Sequence, residues 1–179
     1  ETKEKAVEKV LEIIPKNSVI SWGGSATLTE IGLIDLLKNG EYYVLDARAG
    51  KDAGEMDKIA HQALNVDYYI MSANAISASG ELVNADGIGN RTAALIYGPQ
   101  NVIVIVGINK VEQNLDAAVL RVKTESAPLT VLAYNKSEIA SFEELLDKAK
   151  IACSQLVITN RSTFKDRIKV ILIGESLGF

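Results

Sequence analysis

One cysteine, one histidine and one tryptophan stand among 179 residues, with two methionines and three prolines. Each scarcity excludes something. A lone cysteine, Cys153, can form no disulfide within the chain. One cysteine and one histidine cannot assemble a Cys/His zinc site, nor supply the four thiolates of an iron–sulfur cluster. No metal is expected in this chain, and no cofactor is evident. His61 alone is a poor basis for Ser-His-Asp chemistry. No apolar run approaches the ~20 residues that cross a bilayer, so no membrane role is expected. No basic cluster appears and the net charge is -4, which argues against a nucleic-acid partner. No secretory signal is visible, so the expected compartment is the cytoplasm. Asn90-Arg91-Thr92, Asn135-Lys136-Ser137 and Asn160-Arg161-Ser162 match the glycosylation pattern, and without such a signal they read as accidental.

Standard catalytic signatures are missing too. There is no G-x-x-x-x-G-K-[ST] loop and no G-x-S-x-G elbow. Gly87 and Gly89 lack the third glycine of a dinucleotide fingerprint.

What remains is an ordinary globular balance, 47% hydrophobic and 23% charged, long enough to bury a full core. A single domain over 1–179 is expected, without linker or repeat. The chain starts inside a helical pattern, which reads as a trimmed N-terminus. Val7, Val10, Leu11 and Ile14 give an amphipathic helix closed by Pro15 and Asn17. Ser18–Trp22 is a buried strand that runs into Gly23-Gly24-Ser25-Ala26. Thr27 and Glu30 then read as a capping box opening a helix to Leu37, which ends at Asn39-Gly40. Tyr42–Asp46 and Asp67–Met71 are strands on either side of a helix over Gly54–Leu64. The turn at Ser79-Gly80 makes Glu81–Asn84 the return strand of a hairpin. A tight loop from Asp86 to Arg91 precedes a short helix ending at Tyr97. Val102–Val106 is the most apolar strand. Leu115, Ala118, Val119 and Val122 mark another helix, and Thr130–Ala133 reads as a short strand. Ser141 with Glu144 is a second capping box, opening a helix to about Lys150. Leu156–Thr159 and Ile168–Ile173 are two late strands. Continuous apolar strands alternating with helices specify an α/β fold: a mainly parallel, Rossmann-like sheet with helices on both faces, plus a small hairpin insertion.

Ligands of open parallel sheets bind beyond the carboxyl ends of the strands. That rule selects the loops Gly23–Thr27, Asp46–Arg48, Ser72–Asn74, Gly107–Lys110 and Thr159–Arg161, with Asp86–Arg91 joining through the hairpin. Gly23, Gly24, Ser25 and Thr27 fit either an anion cradle or a well-capped strand–helix turn. A Glu30 drawn back to the cap would oppose the first. Gly89 permits unusual backbone angles and Asn90 could cap the next helix. Arg91 stands near a helix start, where a cation is unfavourable. It either grips an anion or pairs with Asp86 or Asp46. Asn109 and Lys110 follow the most apolar strand. Lys110 is either an anion ligand and acid–base group or a solvated lysine. Asn74 either orients a substrate or holds its turn. His61 and Cys153 read as surface and filler residues, and Trp22 as core.

The stretches Trp22–Gly32, Ser72–Ile76, Gly80–Arg91, Val106–Lys110 and Arg167–Phe179 resemble the signatures of the LUD (lactate utilisation) family. The resemblance implies a fold like ribose-5-phosphate isomerase, glucosamine-6-phosphate deaminase and the CoA transferases. In that fold the first glycine-rich loop holds a phosphate or other anion. It also implies a link to bacterial lactate oxidation, in which a companion subunit carries iron–sulfur clusters. Similar proteins carry several cysteines after the position of Pro128. Here only Cys153 remains, which sets aside any redox role of such cysteines.

Two functions follow. The first is an enzyme or enzyme subunit acting on a small anionic metabolite, with Glu81, Asp86 or Lys110 as catalytic candidates. The second is a non-catalytic binding or regulatory subunit of a lactate-oxidising complex. Either admits a companion subunit or a homo-oligomer.

Overall fold

The computed structural model describes residues 2–135 and 139–179, so the Asn135-Lys136-Ser137 pattern runs into residues outside this range. The chain divides into two compact units. The first comprises residues up to Ser72, then Ala93–Ile108 and Ser162–Gly178. The second comprises Ala73–Thr92, Asn109–Arg161 and Phe179.

The first unit is built on five strands: β1 (Val19–Trp22), β2 (Tyr43–Leu45), β3 (Tyr68–Met71), β6 (Asn101–Gly107) and β9 (Ile168–Ile173). Their order is β2-β1-β3-β6-β9, and every neighbouring pair is parallel. Alternate side chains explain the continuous apolar runs. Ile20, Trp22, Ile70, Ile103, Ile105 and Ile173 face one core, while Tyr69, Met71, Val102, Val104 and Val106 point the other way and are also buried. The first core is completed by α1 (Lys3–Ile13), α2 (Ala26–Glu30) and α3 (Leu33–Lys38), through Val7, Val10, Leu28, Leu33 and Leu37.

Thr2 caps α1, and α4 (Ala53–Gln62) is capped by Asp52. The helix expected from Thr27 to Leu37 is two helices. Gly32 breaks it at φ 70°, a left-handed angle that glycine adopts without cost. The expected capping box is also corrected. Ser25, not Thr27, caps α2, its hydroxyl accepting from the Leu28 amide. Glu30 instead accepts from the Gly178 amide at 2.7 Å.

The second unit holds β4 (Ala75–Ser77), β5 (Leu82–Asp86), β7 (Val111–Glu112) and β8 (Gln155–Thr159), in the order β7-β4-β5-β8. The expected hairpin is β4–β5, antiparallel. It is larger than a small insertion, because β8 extends it antiparallel and β7 parallel. Helices α6 (Leu115–Arg121), α7 (Ala127–Asn135) and α8 (Phe142–Ala152) complete the unit. The short strand expected at Thr130–Ala133 is part of α7. Pro128 lies just past the π-turn Val122–Ser126, so α7 continues the α6 helix rather than starting a new one. Ala127 and Val131, one turn apart, pack against Ala149 of α8. A short apolar run does not distinguish strand from helix; its packing partner does. Ser141 caps α8 as expected, its hydroxyl accepting from the Glu144 amide, but Glu144 accepts from the Ala140 amide rather than from the Ser141 amide of a capping box. Helix α5 (Asn90–Tyr97) begins in the second unit and ends in the first. Among the described residues, no helix is long and apolar enough to cross a membrane.

Candidate functional site

In the first unit the strand order places β2 on one side of β1 and β3 on the other. The carboxyl ends of β1 and β3 therefore form the point where an open sheet reverses its winding, and ligands favour such points. The Gly23–Thr27 loop lies there. The Gly23 amide donates to Ile70 O at 3.1 Å, which ties the loop to β3. Thr27 is fully buried. Its hydroxyl donates to Leu177 O at 3.2 Å and accepts from the Ser72 hydroxyl at 3.4 Å. Gly24 is exposed and Ser25 half-buried. Glu30 is drawn off to Gly178, so its charge does not return to the loop.

In the second unit, polar side chains converge on Asn74 and Asp86. Asn74 Oδ1 accepts from the Ala85 amide at 3.0 Å and from Arg91 Nη2 at 3.4 Å. Asn74 Nδ2 donates to the Ser126 hydroxyl at 2.6 Å. Arg91 Nη2 also donates to Ala85 O at 2.5 Å. Asp86 Oδ2 accepts from the Arg91 and Thr92 amides at 3.0 and 3.1 Å, and so caps α5. That corrects the expectation for Asn90, which is the first helical residue rather than the cap. Gly89, at φ 90°, gives the loop a turn that an L side chain resists. Of the two carboxylates named as partners for Arg91, Asp86 lies 3.8 Å from its Nε. Asp46 pairs with Lys38 in the first unit.

A second guanidinium reaches the same asparagine. Arg121, on α6, is 5% exposed. Its Nη1 donates to Asn74 O at 2.7 Å and its Nε to Asn109 O at 3.2 Å. Glu112 and Glu125 lie 3.7 and 3.6 Å from it. The next residues, Val122–Ser126, form a π-helix, a geometry often found at functional sites. It ends on Ser126, which is fully buried and also faces Phe179 O at 3.5 Å.

Sequence reasoning missed Arg121, Ser126 and the π-turn. One signal was available. Arg121 follows buried Ala118 by three residues, which places a charge beside an apolar face.

Lys110 closes a short 3₁₀ turn after β6 and is 3% exposed. The reading of a solvated loop lysine is therefore corrected. Glu81 stands in the hairpin turn, where it accepts from the Ser77 hydroxyl. That bond is the main reason its carboxyl lies below the ordinary value. His61 is exposed, with Nδ1 2.9 Å from Asp57 O. Burial raises the Cys153 thiol pKa, which disfavours the reactive thiolate.

The opposite, amino-terminal edge of the first sheet carries a cavity of about 710 Å³ lined by Asp67, Tyr97, Asn101, Phe164, Lys165 and Arg167, among others. None of the residues expected from the sequence line it. Its buried Arg167 donates to the carbonyls of Ala94, Leu95 and Pro99, which places a cation at the end of α5. Among the described residues, no group of three or more His, Cys, Asp or Glu could hold a metal ion.

Comparison with known proteins gives three findings. The family model of the LUD domain matches residues 1–173. No curated protein matches the chain by sequence. Among solved structures, ribose 5-phosphate isomerase A from Neisseria gonorrhoeae is similar at 15% identity and a TM-score of 0.46, over 99% of this chain and 94% of that one. A DUF162 family protein from Deinococcus radiodurans is similar at 14% identity and a TM-score of 0.43, over 97% and 99%. The translation initiation factor eIF-2B of Pyrococcus horikoshii is similar at 16% and 0.42, over 63% and 48%.

Proposed function

The chain belongs to the LUD domain family, and from that premise we propose that it binds a small anionic metabolite, gripped by Arg91 at the start of α5. One observation carries this reading. The Arg91 side chain keeps 16% of its surface open, and its recorded contacts use Nε and Nη2. Among the described residues, Nη1 has no hydrogen-bond partner. Asp86 does not fully occupy the guanidinium. Its Oδ2 is spent on two backbone amides and stands 3.8 Å from Nε, too far for a hydrogen bond. A guanidinium with one nitrogen left open suits a carboxylate or phosphate oxygen, which it binds as a charged donor. The switch-point loop of the first unit supports an anionic ligand separately, through its small residues. The family premise adds lactate and pyruvate to the ligands worth testing.

The experiment is a thermal-shift screen of the purified protein against lactate, pyruvate, sugar phosphates and CoA esters. Ligand at 100 times its dissociation constant stabilises by about 2.7 kcal/mol. One class should raise the melting temperature, and Arg91→Ala should abolish that shift while remaining folded. An unchanged shift in Arg91→Ala refutes the assignment.

A second reading, a non-catalytic binding subunit of a lactate-oxidising complex, draws on a different observation. Glu81 and Asp86, two of the three catalytic candidates, are occupied by hydrogen bonds that hold a turn and a helix start. Turnover by the purified chain alone would reject it.

A further inference from the structure

The cavity at the amino-terminal edge of the first sheet shares no residue with the anion site. Its volume of about 710 Å³ falls in the ~300–1,000 Å³ range of small-molecule sites. Three segments meet there: the approach to β3, the turn between α5 and β6, and the turn before β9. Two of them carry an aromatic ring that folding leaves in water. Tyr97 is 81% exposed and Phe164 60% exposed. Large apolar side chains left open beside a cavity mark a binding site. The backbone under both rings is fixed. Phe164 O accepts from the Ser162 hydroxyl at 2.8 Å and from the Arg167 amide at 3.4 Å. Asp166 closes that turn at φ 58°, a left-handed angle that aspartate takes more readily than most residues. The buried Arg167 then ties this turn to the other one. Its guanidinium donates to Ala94 O, Leu95 O and Pro99 O, on both sides of Tyr97 in the chain. The segments carrying the two rings are thus in place before a ligand arrives, which reduces the entropy lost on binding.

We propose that this cavity binds a mononucleotide, a planar heterocycle joined to a phosphate. Tyr97 and Phe164 supply apolar ring surface on which a base can stack. Carboxamides supply the partners for its polar edge. Asn65 and Gln100 line the cavity, and among the described residues their side chains have no hydrogen-bond partner. A carboxamide presents a donor beside an acceptor, the pattern that adenine matches. Asn101 is not available for this, because its Nδ2 donates to Asp67 O and its Oδ1 accepts from Lys169 Nζ. The phosphate falls to Lys165, which has no ion-pair partner among the described residues. Lys165 and Arg167 set two cations against one carboxylate, Asp67, in the lining. Asp67 Oδ2 already accepts from the Val19 amide at 2.8 Å. On a chain of net charge -4 the cavity is therefore locally positive. A sugar phosphate without a base would leave both rings in water, and a nucleoside without a phosphate would leave Lys165 unpaired.

The test is calorimetric titration of the full chain with AMP, adenosine and ribose 5-phosphate. AMP should bind more tightly than either of the others. Tyr97→Ala and Phe164→Ala, both at exposed positions, should each weaken AMP by about tenfold or more. Tyr97→Phe keeps the ring and should keep the affinity. Lys165→Ala, which touches neither ring, should weaken AMP and leave adenosine unchanged. Arg91→Ala should bind AMP as the wild type does, so this inference and the reading of Arg91 fail separately. Absence of binding at millimolar AMP overturns the inference. So does AMP binding that survives both ring substitutions, or that is lost in Arg91→Ala, which would place the nucleotide at the other site. Equal weakening of AMP and adenosine by Lys165→Ala overturns it as well, since the phosphate would then lie elsewhere. Sedimentation velocity supplies the last outcome: self-association of the ligand-free chain that Tyr97→Ala abolishes would mean that a second copy covers the rings, and would overturn the assignment to a nucleotide.

Discussion

Replacing Arg121 by methionine tests the network around Asn74 most directly. The substitution keeps an unbranched apolar stem and removes the guanidinium. Two carbonyls, Asn74 O and Asn109 O, lose a charged donor. Each such bond contributes about 1.5–3 kcal/mol. Glu112 and Glu125 add less than about 1 kcal/mol each, because their side chains are 29% and 60% exposed. Removing a buried cation also recovers its desolvation cost, which offsets part of the loss. The net expectation is a destabilisation of about 3 kcal/mol, within the range for breaking a buried charged network. With a urea slope of about 2 kcal/mol per molar, the unfolding midpoint should fall by roughly 1.5 M. Far-UV circular dichroism is the readout, because Trp22 lies in the first unit and its fluorescence reports on that unit. Arg121→Lys should recover less than half of the loss, since a single ammonium cannot span two carbonyls and two carboxylates as a planar fork does. A midpoint shift below about 0.3 M for Arg121→Met would refute the reasoning, because the carbonyls would then have other donors.

Two further expectations follow from the same structure. Ser141→Ala removes the cap of α8 and should cost about 1 kcal/mol, read as a fall of roughly 2–4 °C in melting temperature for a chain of this length; no change would mean that solvent replaces the cap. The Glu81 carboxyl is held below its ordinary value chiefly by the Ser77 hydroxyl. A carboxylate with a depressed folded pKa adds stability that is present above the unfolded pKa and is lost as pH falls through the folded one. A carboxyl-detected NMR titration should therefore find Glu81 titrating below a typical glutamate, and Ser77→Ala should move it up; an unmoved titration would assign the shift to another cause.

Of the three polar side chains Arg91, Arg121 and Asn84, only Arg91 was visible as a candidate from the chain alone. Arg91 stood out because a cation beside a helix start is out of place. Arg121 was hidden because an arginine within a helical pattern ordinarily points to solvent. Asn84 was hidden for a different reason. In an alternating strand a polar residue reads as the outward face, and here that face of β5 is buried. The switch-point loop was legible, because its small residues sit directly between an apolar strand and a helix. Its cap was misassigned by two residues, since Ser25 and Thr27 are both good caps and only backbone geometry chooses between them.

By itself the sequence determined most of the elements and the class of fold. Apolar runs such as Val102–Val106 demanded a sheet covered on both faces, helical spacing fixed α1 and α6, and the residues around Ser79-Gly80 fixed the hairpin. These are local consequences of period and turn chemistry. Tertiary structure decided whatever depended on distant partners. It placed Glu30 on Gly178, made Thr130–Ala133 helical against α8, and joined β8 to the hairpin. It also spent Asp86 on a helix start and buried the Asn84 carboxamide without a hydrogen-bond partner among the described residues. The physical reason is common to all of these. A polar or short apolar segment has several conformations of nearly equal local energy, and only burial and hydrogen-bond partners far along the chain select one.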